Sequence, residues 1–187
     1  MNTRKLAVIV TLAALSIGTN YAMISLYNVK LMDLVMFVGG FCFDPLVGAL
    51  IGIASWAIYG ALNPIGFSMH IWAATMFSES IYGIVGGLVR KTLDSHKITH
   101  PRREPFGVYV FFGTIGLLLT FLYDAITNTV FGYVANMPFL FAILTGFVPF
   151  GIIHVMSNVV FFGLGCVPVI NAISSVTGGK NVDIPKK

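Results

Sequence analysis

The stretch from Phe41 to Pro64, FCFDPLVGALIGIASWAIYGALNP, carries a helix start, a helix interior and a helix stop in order. Asp44 is a capping acid, and Pro45 suits the first helical position, where a missing N–H costs nothing. From there the chain stays apolar to Leu62, and Asn63-Pro64 breaks it. A bilayer core of roughly 30 Å takes about twenty helical residues, fewer where neighbours shelter the segment, so this unit reads as one span.

Working outward, a shorter span precedes it from about Leu31 to Phe43, and a first runs from about Leu6 to Ile24. Beyond it, the fourth covers Phe67 to Val89, the fifth Phe106 to Phe131 and the sixth Phe139 to Ile170. Pro149 and Pro168 are predicted to kink or trim the overlong last helix. The expected architecture is an all-α integral membrane protein, one domain over residues 1–187, built as a bundle of six transmembrane helices. Composition agrees, because 57% hydrophobic and 10% charged residues with a mean hydropathy of +0.89 exceed what a soluble core of 187 residues needs.

Charge placement tests the span count. Arg4 and Lys5, then Arg90, Lys91, Lys97, Arg102 and Arg103, then Lys180, Lys186 and Lys187 all fall on one side of six crossings, and only Lys30 falls on the other. Excess Lys and Arg marks the cytoplasmic side, so both termini, the loop 90–105 and the tail 171–187 are expected inside. The N-terminus has the Arg4-Lys5 and apolar run of a signal peptide, but the run continues to Ile24 without a clean small-x-small end, and the first span is read as retained. The net charge of +4 does not indicate nucleic acid, because the basic residues flank apolar spans rather than forming an aromatic-interleaved patch. Cys42 and Cys166 are isolated in apolar segments, and the eight Met residues are dispersed, so neither disulfide nor metal site is expected.

An acid near mid-membrane costs roughly 2.5 to 3.5 kcal/mol even on the lenient insertion scale, so Glu79 and Asp124 should face the bundle interior or a cavity. On the fourth span Trp72, Met76, Glu79 and Tyr82 share a helical face, as do Asp124, Thr127 and Asn128 on the fifth. The third carries Gly48, Gly52, Trp56 and Asn63 on one stripe with Tyr59 beside it, and His154 and Asn158 stand one turn apart on the sixth. The structural alternatives are close helix packing for the glycines, an interfacial belt for Trp72, and mutual hydrogen bonding for the polar residues. No GxxxxGK[ST], HExxH or GxSxG motif is present, so nucleotide hydrolysis and common hydrolase chemistry lack support. His154 with Asp124 keeps open a small membrane enzyme acting on a lipid or isoprenoid, and a structural subunit without ligand is a third reading.

Three stretches resemble the S components, the substrate-binding membrane subunits of energy-coupling factor vitamin transporters. They are DLVMFVGGFCFDPLVGALIGIASWAIYG (Asp33–Gly60), SESIYGIVGGLVRK (Ser78–Lys91), and TFLYDAITNTVFG (Thr120–Gly132) with the later HVMSNVVFFGLGCVPVI (His154–Ile170). The resemblance implies a multi-pass plasma-membrane protein that binds a vitamin or related micronutrient with high affinity, without cofactor, catalysis or ATPase of its own. It implies as partners a transmembrane coupling protein and two ABC-type ATPases. The small-residue docking surface of such first helices corresponds here to Ala14-x-x-x-Gly18 with Ala13 beside it. The expected pocket draws on Trp56, Tyr59, Asn63, Trp72, Glu79, Tyr82, Tyr123, Asp124, Asn128, His154 and Asn158. The loop holding Tyr27, Asn28 and Lys30 would cover it, with aromatics stacking on a planar ring and polar groups orienting it.

Overall fold

A computed structural model describes residues 2–63, 66–92 and 105–177. The expected break at Pro64, the greater part of the loop 90–105 with Lys97, Arg102 and Arg103, and the tail from 178 on with Lys180, Lys186 and Lys187 lie outside the described residues. Within them every regular element is helical: α1 (Thr3–Ala22), α2 (Met32–Cys42), α3 (Pro45–Ala61), α4 (Met69–Thr92), α5 (Pro105–Val134) and α6 (Phe139–Val176). Helices α1, α5 and α6 are long and apolar enough to cross a membrane. Helices α2 and α3 are apolar but shorter, at 11 and 17 residues. Although α4 has 24 residues, its apolarity is diluted by Thr75, Ser78, Glu79 and Ser80, all buried because α4 packs against α2, α3 and α5.

Local chemistry explains the boundaries. Asp44 accepts the Val47 N–H at 2.8 Å with Pro45 in the first turn, as the capping pattern predicts. Pro149 breaks α6 as expected, within a π turn over Phe147–Gly151 where Val148 leaves helical geometry (φ −113°, ψ 114°). Pro168 behaves otherwise, because the helix runs on through it and through Asn171, where the sequence predicts a polar tail, to Val176.

The bundle has two ends: an upper one bearing the α1–α2, α3–α4 and α5–α6 connections, and a lower one bearing the start of α1 and the α2–α3 turn. At its centre α2 is buried along almost its whole length. Where α2, α3 and α4 cross, a Cβ added at Gly83 would stand 2.1 Å from the Gly48 carbonyl carbon, and one at Gly40 would stand 1.9 Å from the Gly83 oxygen. The three backbones touch, so Gly48 serves packing. Beside that crossing, toward α5 and α6, lies a close-packed aromatic core, with Phe37 5.2 Å from Phe162 and 6.0 Å from Phe112 between ring centroids. Arg90 closes the lower end by donating to the carbonyls of Phe41 (3.3 Å) and Cys42 (2.7 Å), the last acceptors of α2. Lys5 pairs with Asp44 at the same end. Burial opposes ionisation of Asp44, but the Lys5 hydrogen bond, the Val47 amide and the Lys5 charge together outweigh it and hold the carboxyl below the ordinary aspartate range.

Candidate functional site

A polar layer crosses the upper half of the bundle, assembled from four helices. The first turn of α2 supplies Asp33, α4 supplies Glu79 and Tyr82, and α5 supplies Thr120, Tyr123 and Asp124 on one face by their three- and four-residue spacing. From α6 come His154 and Asn158, one turn apart and buried.

His154 is gripped at both ring nitrogens, Nδ1 lying 3.0 Å from Asp124 Oδ1 and Nε2 2.8 Å from Asp33 Oδ2. Ionised carboxylates only accept, so both contacts are hydrogen bonds only if both ring nitrogens carry hydrogen or one carboxyl is protonated. Asn158 Nδ2 donates to Asp33 Oδ2 and, at 2.8 Å, to Thr120 Oγ1, which also receives the Tyr82 hydroxyl at 3.1 Å. The Trp56 indole N–H donates to Glu79 Oε2 at 3.0 Å. Glu79 and Asp33 lie near enough to share a hydrogen bond if one carries a proton. Otherwise Glu79 Oε1 and Asp33 Oδ1 have no partner in the protein. Asp124 Oδ2 abuts Gly151 in the π turn, where a Cβ would come within 3.2 Å of it.

Above this layer, two cavities share Trp56 and Asn63 in their walls. One, of about 300 Å³, lies under the α1–α2 connection and is lined by Asn20, Tyr27, Lys30, Trp56, Tyr59 and Asn63 among others. The other, of about 400 Å³, lies between the upper ends of α3 and α4 and reaches Trp72, Thr75 and Phe131. The connection is tied down by the Asn28 side-chain amide, which donates to Phe150 O at 2.8 Å, and by Tyr27 against the Phe150 ring. Lys30 projects from it with Nζ 5.4 Å from the Trp56 ring centroid and 5.5 Å from that of Tyr123.

No protein family, curated protein or solved structure matches this chain.

The pocket residues expected from sequence divide into three groups. Trp56, Tyr59, Asn63 and Trp72 line the cavities, with the Trp72 indole N–H also donating to Ala57 O at 3.2 Å. Glu79, Tyr82, Tyr123, Asp124, His154 and Asn158 are buried in the polar layer, so Glu79 and Asp124 lie one level behind the cavity walls rather than on them. Asn128 stands apart, half-buried against Gly146 of α6. On α1, Ala14 and Gly18 are exposed while Ala13 is buried inside the bundle, so only the first two are open to a partner. Sequence reasoning missed Asp33 and Thr120. The signal for Asp33 was present, an acid within the otherwise uncharged helix MDLVMFVGGFC. Thr120 had none, because threonine is unremarkable in an apolar helix.

Proposed function

We propose that this protein is the membrane-embedded solute-binding subunit of an energy-coupling factor type transporter, taking up a small vitamin-like compound. The carrying observation is the pair of cavities of about 300 and 400 Å³ that share Trp56 and Asn63 in their walls, within the size range of small-molecule sites and set over a polar layer. In this reading all six helices cross the plasma membrane with both termini inside, and the upper end faces out. The solute enters under the α1–α2 connection and packs against Trp56 and Tyr59. Ala14 and Gly18, exposed one turn apart on α1, offer a close-approach face to the coupling protein, whose ATPases drive transport. A catalytic role for His154 with Asp124 is disfavoured by their arrangement, because both ring nitrogens are occupied and the side chain is 1% exposed.

Thermal-shift measurements on the detergent-purified protein across vitamins and their precursors, paired with native mass spectrometry of co-purified solutes, test the reading. One class of compound should raise the melting temperature in a concentration-dependent way. A flat response throughout, with no solute retained on purification, would remove it. Topology is tested separately by adding single cysteines to a chain whose own Cys42 and Cys166 are buried. Labelling from outside is expected at Tyr27 and not at Lys91.

A further inference from the structure

Lys30 occupies an unusual place for a lysine in a chain with so few charges. Its stem leaves the α1–α2 connection, yet its ammonium stands over two ring faces, Trp56 at 5.4 Å and Tyr123 at 5.5 Å, both within cation–π range. The Trp56 edge is meanwhile held by Glu79, which keeps that ring presented to the cavity and puts a carboxyl group behind it. The layer beneath holds the carboxyls of Asp33, Glu79 and Asp124 against the single imidazole of His154. Glu79 Oε1, in a side chain 1% exposed, has no partner beyond what a proton shared with Asp33 would give. These features describe a receptor for positive charge. Its occupant in the structure is the Lys30 ammonium, on a four-carbon stem that also lines the adjoining cavity.

We propose that the solute is a cation, an ammonium or positively charged heteroaromatic ring, and that the Lys30 ammonium holds its place over Trp56 and Tyr123 until it binds. This rests on the binding-subunit reading above and names the substrate class of the same site. Lys30 thereby acts as a tethered competitor: it satisfies the aromatic cage in the empty state and sets a threshold that the solute must exceed. Sodium and similar hydrated ions are poor competitors, because ring faces compensate lost hydration weakly, whereas diffuse organic cations carry little hydration to lose.

Three soluble probes of similar size separate the possibilities: benzyltrimethylammonium, benzyl alcohol and phenylacetate. Binding is read from Trp fluorescence and thermal shift in wild type and in Lys30→Met, which keeps the apolar stem and removes the charge. Benzyltrimethylammonium should bind Lys30→Met about tenfold more tightly than wild type, benzyl alcohol should bind both alike, and phenylacetate neither. Adding Trp56→Leu to Lys30→Met should abolish the gain. Equal affinity of benzyltrimethylammonium for both proteins, or its failure to bind either, overturns the proposal. So does phenylacetate binding that Lys30→Met removes, since Lys30 would then be an anion anchor. If Lys30→Met does not fold, wild type must still rank benzyltrimethylammonium above phenylacetate, and the reverse order counts against the proposal. The two readings fail separately: a neutral or anionic vitamin bound and transported by wild type removes the cation inference alone. A silent vitamin panel beside a tight cation site in Lys30→Met removes the transport reading alone.

Discussion

The upper and lower halves of this bundle are built from the same helices but solve burial in opposite ways. In the lower half, Phe37, Phe41, Phe112 and Phe162 interlock as stacked and edge-on rings. Above it, Asp33, Glu79, Asp124, His154 and Asn158 are just as buried but are held by directed hydrogen bonds. In lipid the lower half gains little from leaving water, because its surroundings are already apolar, so close packing has to hold it. The upper half bears groups that lipid would not tolerate singly, and each is tolerable only with its partners in place. The contrast separates a module held by close packing from one whose buried polar groups are costly to maintain.

The largest disturbance should come from the glycine crossing. Gly83→Val places a branched side chain where even a Cβ meets the Gly48 backbone, so little monodisperse protein should survive size exclusion in detergent. Next, His154→Leu strands the carboxyls of Asp33 and Asp124 and should cost about 3 kcal/mol of stability in denaturant titration. Making the upper half dry in one step, with Asp33→Leu, Asp124→Leu and His154→Leu together, should recover part of that loss while abolishing solute binding. If the triple variant is less stable than His154→Leu alone, the view of this layer as costly to maintain fails.

A smaller effect is expected in the lower half. Phe162→Ala should cost about 2 kcal/mol, because in a bilayer the lost packing around the new cavity dominates and the transfer contribution is slight. Solute affinity should stay within about twofold, since Phe162 reaches the polar layer only through its contact with the Tyr82 ring. A binding loss matching the stability loss would show that the halves are not separable. The smallest change belongs to the lower rim. Asn retains the cap in Asp44→Asn while losing the Lys5 pair, a matter of under about 1 kcal/mol. Because the Asp44 carboxyl is held below its ordinary range, its contribution is complete above the usual aspartate range and disappears as pH falls through its lowered value. Melting curves of wild type and Asp44→Asn should therefore converge in acid and separate on returning to neutral pH.

Much of the frame could be read without coordinates. The start of α3 at Asp44-Pro45, the break at Pro149 and the interior placement of Glu79 and Asp124 all follow from rules that act within one helix or between one side chain and lipid. Such rules cannot say which residues meet. Arg90, read from sequence as a topology marker, also caps the carbonyls of α2, and Gly48, for which the sequence allowed close packing, meets the backbones of Gly40 and Gly83 in particular. Asp33 stands at the start of a span, where an acid can reach the interface, and only the bundle shows it meeting His154.

By itself the sequence determined the apolar helices, their approximate ends and the short roll of side chains too costly to leave facing lipid, since hydropathy, capping and proline geometry are local. The tertiary structure alone decided that Asp33, His154 and Asp124 form one chain of contacts and that Lys30 folds over Trp56 and Tyr123. Helical periodicity gives each residue a direction, but partnership depends on how the helices are rotated and staggered against each other. That is a property of the whole bundle, reached only when all of them pack.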